Sequence, residues 1–168
     1  SVGEAKLGAA LDGIAGDDVL VLHDRRVPGS RANIDHLVVA PGGVWVVDAK
    51  RWRGRVERVD KGSWLRADHR LVVGGRDRSA AVAGVLRQVE HVRTALIGAD
   101  AAVPVRGALC FVDADWSLFA KPFEVDGVLV TWGKALRARL LDGFVPDPTL
   151  VVGVQRALAT AFPPYAPA

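Results

Sequence analysis

The sequence predicts an α/β domain: a central mixed β-sheet flanked by helices on both faces. Three observations carry this expectation. The apolar periodicity reads helix, strands, helix, strands, helices along the chain. The strand-like runs are apolar at nearly every position, the pattern of a sheet covered on both sides. The chain has 168 residues, 50% of them hydrophobic and 24% charged, which is enough for a single ordered domain with a sizeable core.

The first helix lies in GEAKLGAALDGIAG (3–16), where Leu7, Ala10, Leu11 and Ile14 recur at helical spacing and Gly16 ends the run. DVLVLHD (18–24) is a short apolar strand, and RRVPGSRA is a polar turn around Pro28-Gly29. NIDHLVVAPGGVWVVDAK (33–50) supplies two strands joined at Pro-Gly-Gly. From Arg53 to Val73, the short runs GRVERV, SWLRA and RLVV alternate with turn residues such as Lys61-Gly62, which predicts a meander. Ser79 is placed to cap a long helix through Ile97, with Val82, Val85, Leu86, Val89 and Leu96 as its apolar stripe and Gly98 as its stop. VRGALCFVD (105–113) and DGVLVTW (126–132) are further buried strands. Helices follow at 133–142 and 147–161, and PPYAPA (163–168) is a tail, so that 1–168 forms one domain.

Several classes are excluded or disfavoured. There is no apolar run of the ~18 residues that span a bilayer, and no signal peptide. The single cysteine, Cys110, between Leu109 and Phe111, has no internal partner and fits a core position, which points to a cytoplasmic setting. The chain starts at Ser1 and contains no methionine, so a processed or trimmed piece with flanking domains or a fused DNA-processing partner is expected. The net charge of +3 is unevenly spread: between Lys50 and Arg78, ten Lys/Arg face four acids, a net of +6, while the remainder carries −3. A local basic stripe is the footprint of a polyanion binder.

The charges within NIDHLVVAPGGVWVVDAK stand out because apolar strands are buried and buried carboxylates need partners. With side chains alternating, Asp48 and Lys50 share a face with Val44 and Val46. A two-residue loop at Pro41-Gly42 sets Asp35 across from Asp48. At Gly42-Gly43, the better turn chemistry, it sets Asp35 across from Lys50. Either register gathers two acids and an amine at the open end of the hairpin. Adjacent carboxylates repel unless a proton or cation sits between them, and Mg²⁺ prefers oxygen ligands of this kind. The arrangement suits metal-assisted phosphodiester hydrolysis. A strand-end salt bridge from Lys50 to either acid is the structural alternative.

GE at 3–4, VPGSRANIDHLVVAPGGVWVVDAKRWRGRV at 27–56, GGRDR at 74–78, LCFVDADW at 109–116 and the helix bearing RQVEHV resemble the NERD domain, the nuclease-related domain of bacterial proteins. The resemblance implies a restriction-endonuclease-like core and a PD-(D/E)xK site. Its first acid falls on Asp35, its second on Asp48 and its lysine on Lys50, although Ile34 replaces the proline and Asp48 the commoner Glu. It further implies Mg²⁺, with Mn²⁺ as a substitute, held by Asp35, Asp48, the Ala49 carbonyl and Glu4, and DNA as substrate. Glu4 equally fits a capping box with Ser1. Gln88 lies where some nucleases of this fold carry a glutamine that supports the lysine or the attacking water, though a groove-edge role is the simpler one. Arg51, Arg53 and Arg55 are candidate phosphate contacts and Trp52 a candidate base-stacking or wall residue; His36 is expected to make a structural hydrogen bond. The expected function is Mg²⁺-dependent DNA hydrolysis. The alternative is a catalytically silent nuclease-fold module that binds nucleic acid or a protein partner.

Overall fold

The hairpin at 33–50 organises the molecule, because its two strands are the most apolar segments and pair with each other locally. The computed structural model describes residues 1–16, 19–143 and 148–166. In chain order the elements are α1 (Val2–Asp12), β1 (Leu20–Arg26), β2 (Asn33–Ala40), β3 (Gly43–Lys50), β4 (Val56–Asp60), β5 (His69–Val73), β6 (Arg76–Asp77), α2 (Ser79–Gly98), β7 (Val105–Phe111), β8 (Phe123–Val125), β9 (Val128–Trp132), α3 (Gly133–Leu141) and α4 (Pro148–Ala161). Asp18, expected to open the first strand, Asp147, expected to open the last helix, and residues 167–168 of the tail lie outside the described residues.

Six strands form one mixed sheet in the order β1-β2-β3-β7-β9-β8, and β4-β5-β6 form a small antiparallel sheet. β3–β7 and β7–β9 are the parallel pairs; α2 lies in the connection from β3 to β7, and β8 in the connection from β7 to β9. Both faces are covered. Val82, Val85, Val89, Val92 and Leu96 of α2 and Val151, Val154 and Leu158 of α4 pack on Leu37, Val39, Val44, Val46 and Leu109. Leu7 and Leu11 of α1 and Leu136 and Leu140 of α3 pack on Val38, Trp45, Val47, Ala108 and Cys110. Burial pushes the Cys110 thiol up to about 12, so it remains a core thiol.

The β2–β3 register runs from His36↔Val47 to Ala40↔Gly43, so the loop is Pro41-Gly42. Of the two registers the sequence left open, this is the one that carries Asp35 toward Asp48. Pro41 followed by Gly42 at φ 87° has the form of a type II turn, which explains why this pair wins over Gly42-Gly43.

Some elements differ from expectation. Ser79 does not cap α2. Arg78 occupies the N-cap position without a side-chain hydrogen bond, while Ser79 Oγ accepts from Leu71 N at 3.1 Å and ties the helix to β5. SWLRA is the tip of a hairpin and not a strand, and α1 stops at Asp12, short of Gly16. Residues 163–165 are not a loose tail: Arg26 N donates to Pro163 O and Tyr165 N to Asp24 O, which covers the outer edge of β1.

Gly107 of β7 lets α2 approach the sheet. A Cβ there would lie 2.4 Å from Val85 Cγ1 and 3.1 Å from Val89 Cγ2. Both neighbours are β-branched and stiff. Gly107→Ala is therefore expected to destabilise the fold by about 1–3 kcal/mol, read as a lower urea midpoint with unchanged slope.

Candidate active site

Asp48 and Lys50 continue the alternation of Val44 and Val46 onto the α2 face at the C-terminal end of β3. Lys50 Nζ lies 3.2 Å from Asp48 Oδ2, with side chains 29% and 16% exposed, so the pair is shielded yet reachable. Asp35 meets them from β2. Its Oδ2 accepts a 3.0 Å hydrogen bond from Ala49 N. Val112 N donates to Lys50 O, which directs the Lys50 backbone toward β7. Alternation then turns the Ala49 N–H and C=O toward β2, the side from which Asp35 approaches.

Asp48 adds to a perturbation of Asp35 that burial begins. Burial, followed by hydrogen bonding to Asp48 and the Asp48 charge, pushes Asp35 from 3.8 up to about 8; the Ala49 N–H opposes this and the Glu4 charge adds to it. A half-buried carboxyl that keeps its proton beside a second acid is the electrostatic condition a divalent cation relieves. Among the described residues no group of three or more His, Cys, Asp or Glu side chains converges as a metal cage. Two carboxylates and a carbonyl fit Mg²⁺, which keeps several of its waters, better than a metal that demands a full protein shell.

Glu4 is engaged at its own helix end. Glu4 N donates to Ser1 Oγ at 3.2 Å and its Oε2 accepts from Ser1 N at 2.9 Å, a complete capping box that holds its carboxylate below the usual range. Its field reaches Asp35, but it does not complete a three-carboxylate cluster. Gln88 is half-buried: Nε2 donates to Asn33 O at 3.0 Å, two residues before Asp35, and its buried Oε1 has no hydrogen-bond partner among the described residues.

Trp52 packs on the core beside Phe111, at a ring separation of 6.0 Å. Its ring lies 4.3 Å from Arg78 Cζ and 5.4 Å from Lys50 Nζ, so it forms a wall between two cations. Arg51, Arg53 and Arg55 are exposed. Arg51 Nε is 3.2 Å from Asp113 Oδ2, which Lys6 Nζ also meets at 2.9 Å. Arg51, Trp52, Arg53 and Asp113 line a recess of about 200 Å³.

Sequence reasoning passed over Arg78, Asp113 and His23. Arg78 sits within the quoted GGRDR, but nothing local reveals its stacking on Trp52. Asp113 and Lys6 meet across 107 residues. His23 was within reach, since the β1–β2 ladder sets it opposite His36. The Nδ1 atoms of His23 and His36 are 2.8 Å apart, and His23 Nε2 is 2.5 Å from Asp12 Oδ1. Burial and the neighbouring His23 push His36 down to about 4, so it stays neutral.

The family model of the nuclease-related domain, NERD, matches residues 1–112, two-thirds of the chain. The match ends one residue past β7, and the residues beyond it supply β8, β9, α3 and α4. No curated protein and no solved structure matches the chain.

Proposed function

The chain belongs to the nuclease-related (NERD) family, and from that premise we propose that it hydrolyses phosphodiester bonds of DNA with Mg²⁺ as cofactor. The observation that carries the reading is the pairing of Asp35 with Asp48, which pushes one carboxyl far above its ordinary range beside a lysine. A stability-driven strand end has no reason to press two acids together.

Asp35, Asp48 and the Ala49 carbonyl would hold the ion, and the Ala49 N–H fixes the Asp35 carboxylate in place. The bound ion would supply a lowered water pKa and charge neutralisation at the scissile phosphate. Lys50 lies within reach of the same phosphate and would stabilise negative charge as the water oxygen bonds to phosphorus and the opposite P–O bond breaks. Gln88, whose Nε2 holds the Asn33 carbonyl two residues before Asp35, would keep the Asp35 strand end in place beside Asp48 and Lys50. The Trp52 wall between Lys50 and Arg78 narrows access from the basic stripe, where Arg53 and Arg55 meet phosphates.

The test is cleavage of supercoiled plasmid in Mg²⁺ or Mn²⁺. Wild-type protein is expected to nick or linearise it, and Lys50→Ala to lower turnover on the order of 10²–10³-fold while Mg²⁺ affinity, followed by calorimetry, changes little. Wild-type protein that is silent in both metals, or a Lys50→Ala variant as active as wild type, removes the enzymatic reading.

A further inference from the structure

Beyond the acid pair, the small β4-β5-β6 sheet carries a feature the proposed chemistry does not use. The β4–β5 hairpin continues past its last ladder pair, Asp60↔His69, through Lys61 N to Asp68 O at 2.8 Å. It closes where Ser63 N donates to Arg66 O at 2.9 Å and Arg66 N to Ser63 O at 3.2 Å. Trp64 and Leu65 are thus the two residues of the turn, and they are 92% and 75% exposed. Two-residue turns favour Gly, Asn or Asp. A tryptophan and a leucine here gain nothing from burial, so the fold does not explain them.

The tip is held rigidly. Asp60 Oδ1 accepts from Gly62 N at 2.8 Å and Asp68 N at 2.9 Å, and Ser63 Oγ accepts from Leu65 N at 3.3 Å. The arm is also cationic on balance. Asp60 is occupied by those backbone N–H groups, and Asp68 and Asp77 by Arg70. Arg55, Arg66 and Arg76 are exposed and have no acid partner among the described residues. The root of the arm adjoins the candidate site: Arg78, directly after β6, lies over Trp52, whose ring is 5.4 Å from Lys50 Nζ.

We propose that the Trp64–Leu65 tip is a nucleic-acid contact, a rigid wedge that stacks on bases while Arg55, Arg66 and Arg76 hold the flanking phosphates. Charge complementarity selects this occupant: an aromatic set on a basic arm is the combination that binds a polyanion carrying flat bases. The inference rests on the reading that the chain acts on nucleic acid, but not on its being catalytic.

The test is fluorescence anisotropy of labelled single-stranded and duplex oligonucleotides with the full chain in EDTA, over a series of salt concentrations. Trp64→Ala is expected to weaken binding by roughly 5–150-fold at an unchanged slope of log affinity against log salt, and Trp64→Phe to recover most of the loss. Arg66→Ala is expected to reduce that slope by about one. Trp64 is fully exposed, so circular dichroism of the variant should match wild type. The proposal is overturned if wild type binds neither oligonucleotide, if Trp64→Ala keeps wild-type affinity, or if the substitution instead lowers binding to anionic phosphatidylglycerol vesicles. Binding lost with Trp64 in a protein that never cleaves plasmid upholds the wedge and removes the nuclease. Cleavage by a protein whose affinity ignores Trp64 does the reverse.

Discussion

Replacing Asp48 with asparagine is expected to abolish metal-dependent cleavage and, in the same protein, to remove the Mg²⁺-induced rise in melting temperature. The two effects have one cause. Asp48 faces Asp35 across the end of the hairpin, and its charge adds to the burial that makes ionisation of Asp35 costly. An amide of the same shape leaves the half-buried Lys50 ammonium without its anionic partner. It also removes one of two anionic ligands, and a divalent ion loses the attraction that would hold it there. Turnover should fall on the order of 10²–10³-fold or more, and the Mg²⁺-induced rise in melting temperature should disappear. Differential scanning calorimetry with and without Mg²⁺, beside the plasmid assay, measures both. An Asp48→Asn protein that still gains melting temperature from Mg²⁺ would remove Asp48 from the metal site.

The second large effect is in pH. Asp35 has a folded-state value of about 8 against an ordinary 3.8, so the folded chain keeps a proton that the unfolded chain releases. Stability from this group is therefore present at low pH and lost as pH rises toward 8. His36 acts in the other direction: lowered from 6.5 to about 4, it favours unfolding as pH falls below 6.5. The two oppose each other at acidic pH, which leaves 6.5 to 8 as the window where Asp35 acts alone. There the metal-free protein should lose about 1.4 kcal/mol per pH unit, on the order of 2 kcal/mol across the window, or roughly 4–8 °C in melting temperature. Mg²⁺ should erase this slope by displacing the proton, and its stabilisation should grow with pH and level off above 8. Asp35→Asn should melt at the same temperature throughout the window. A wild-type melting temperature that climbs between 6.5 and 8 in EDTA contradicts the acid-pair electrostatics.

The hairpin and its acids were legible because alternation is a strong local rule: any even register brought Asp35 toward the Asp48–Lys50 end. The turn itself was less so, since Pro41-Gly42 and Gly42-Gly43 are both acceptable pairs, and the type II geometry that Pro-Gly favours decides between them. β6 and β8, with two and three residues, are too short to leave a periodic trace. The tip at Trp64 read as a strand because its residue types favour strands, and only the Asp60 and Ser63 hydrogen bonds reveal the turn. Glu4 matched two roles in sequence, and the capping box occupies its carboxylate. Arg78 and Asp113 reach the site's surroundings through contacts that join distant parts of the chain, where local pattern carries no information.

β3 lies between a neighbour that precedes it and one that follows much later, Asp48 standing beside Leu109 in parallel register. A ribosome delivers both acids, the lysine and the basic stripe well before it delivers β7. Pairing across so long a separation is a slow, late event in folding. Until then the nascent chain holds these groups on an unfinished sheet edge, without the strand that braces them. A site built this way is completed only when synthesis has passed the middle of the domain.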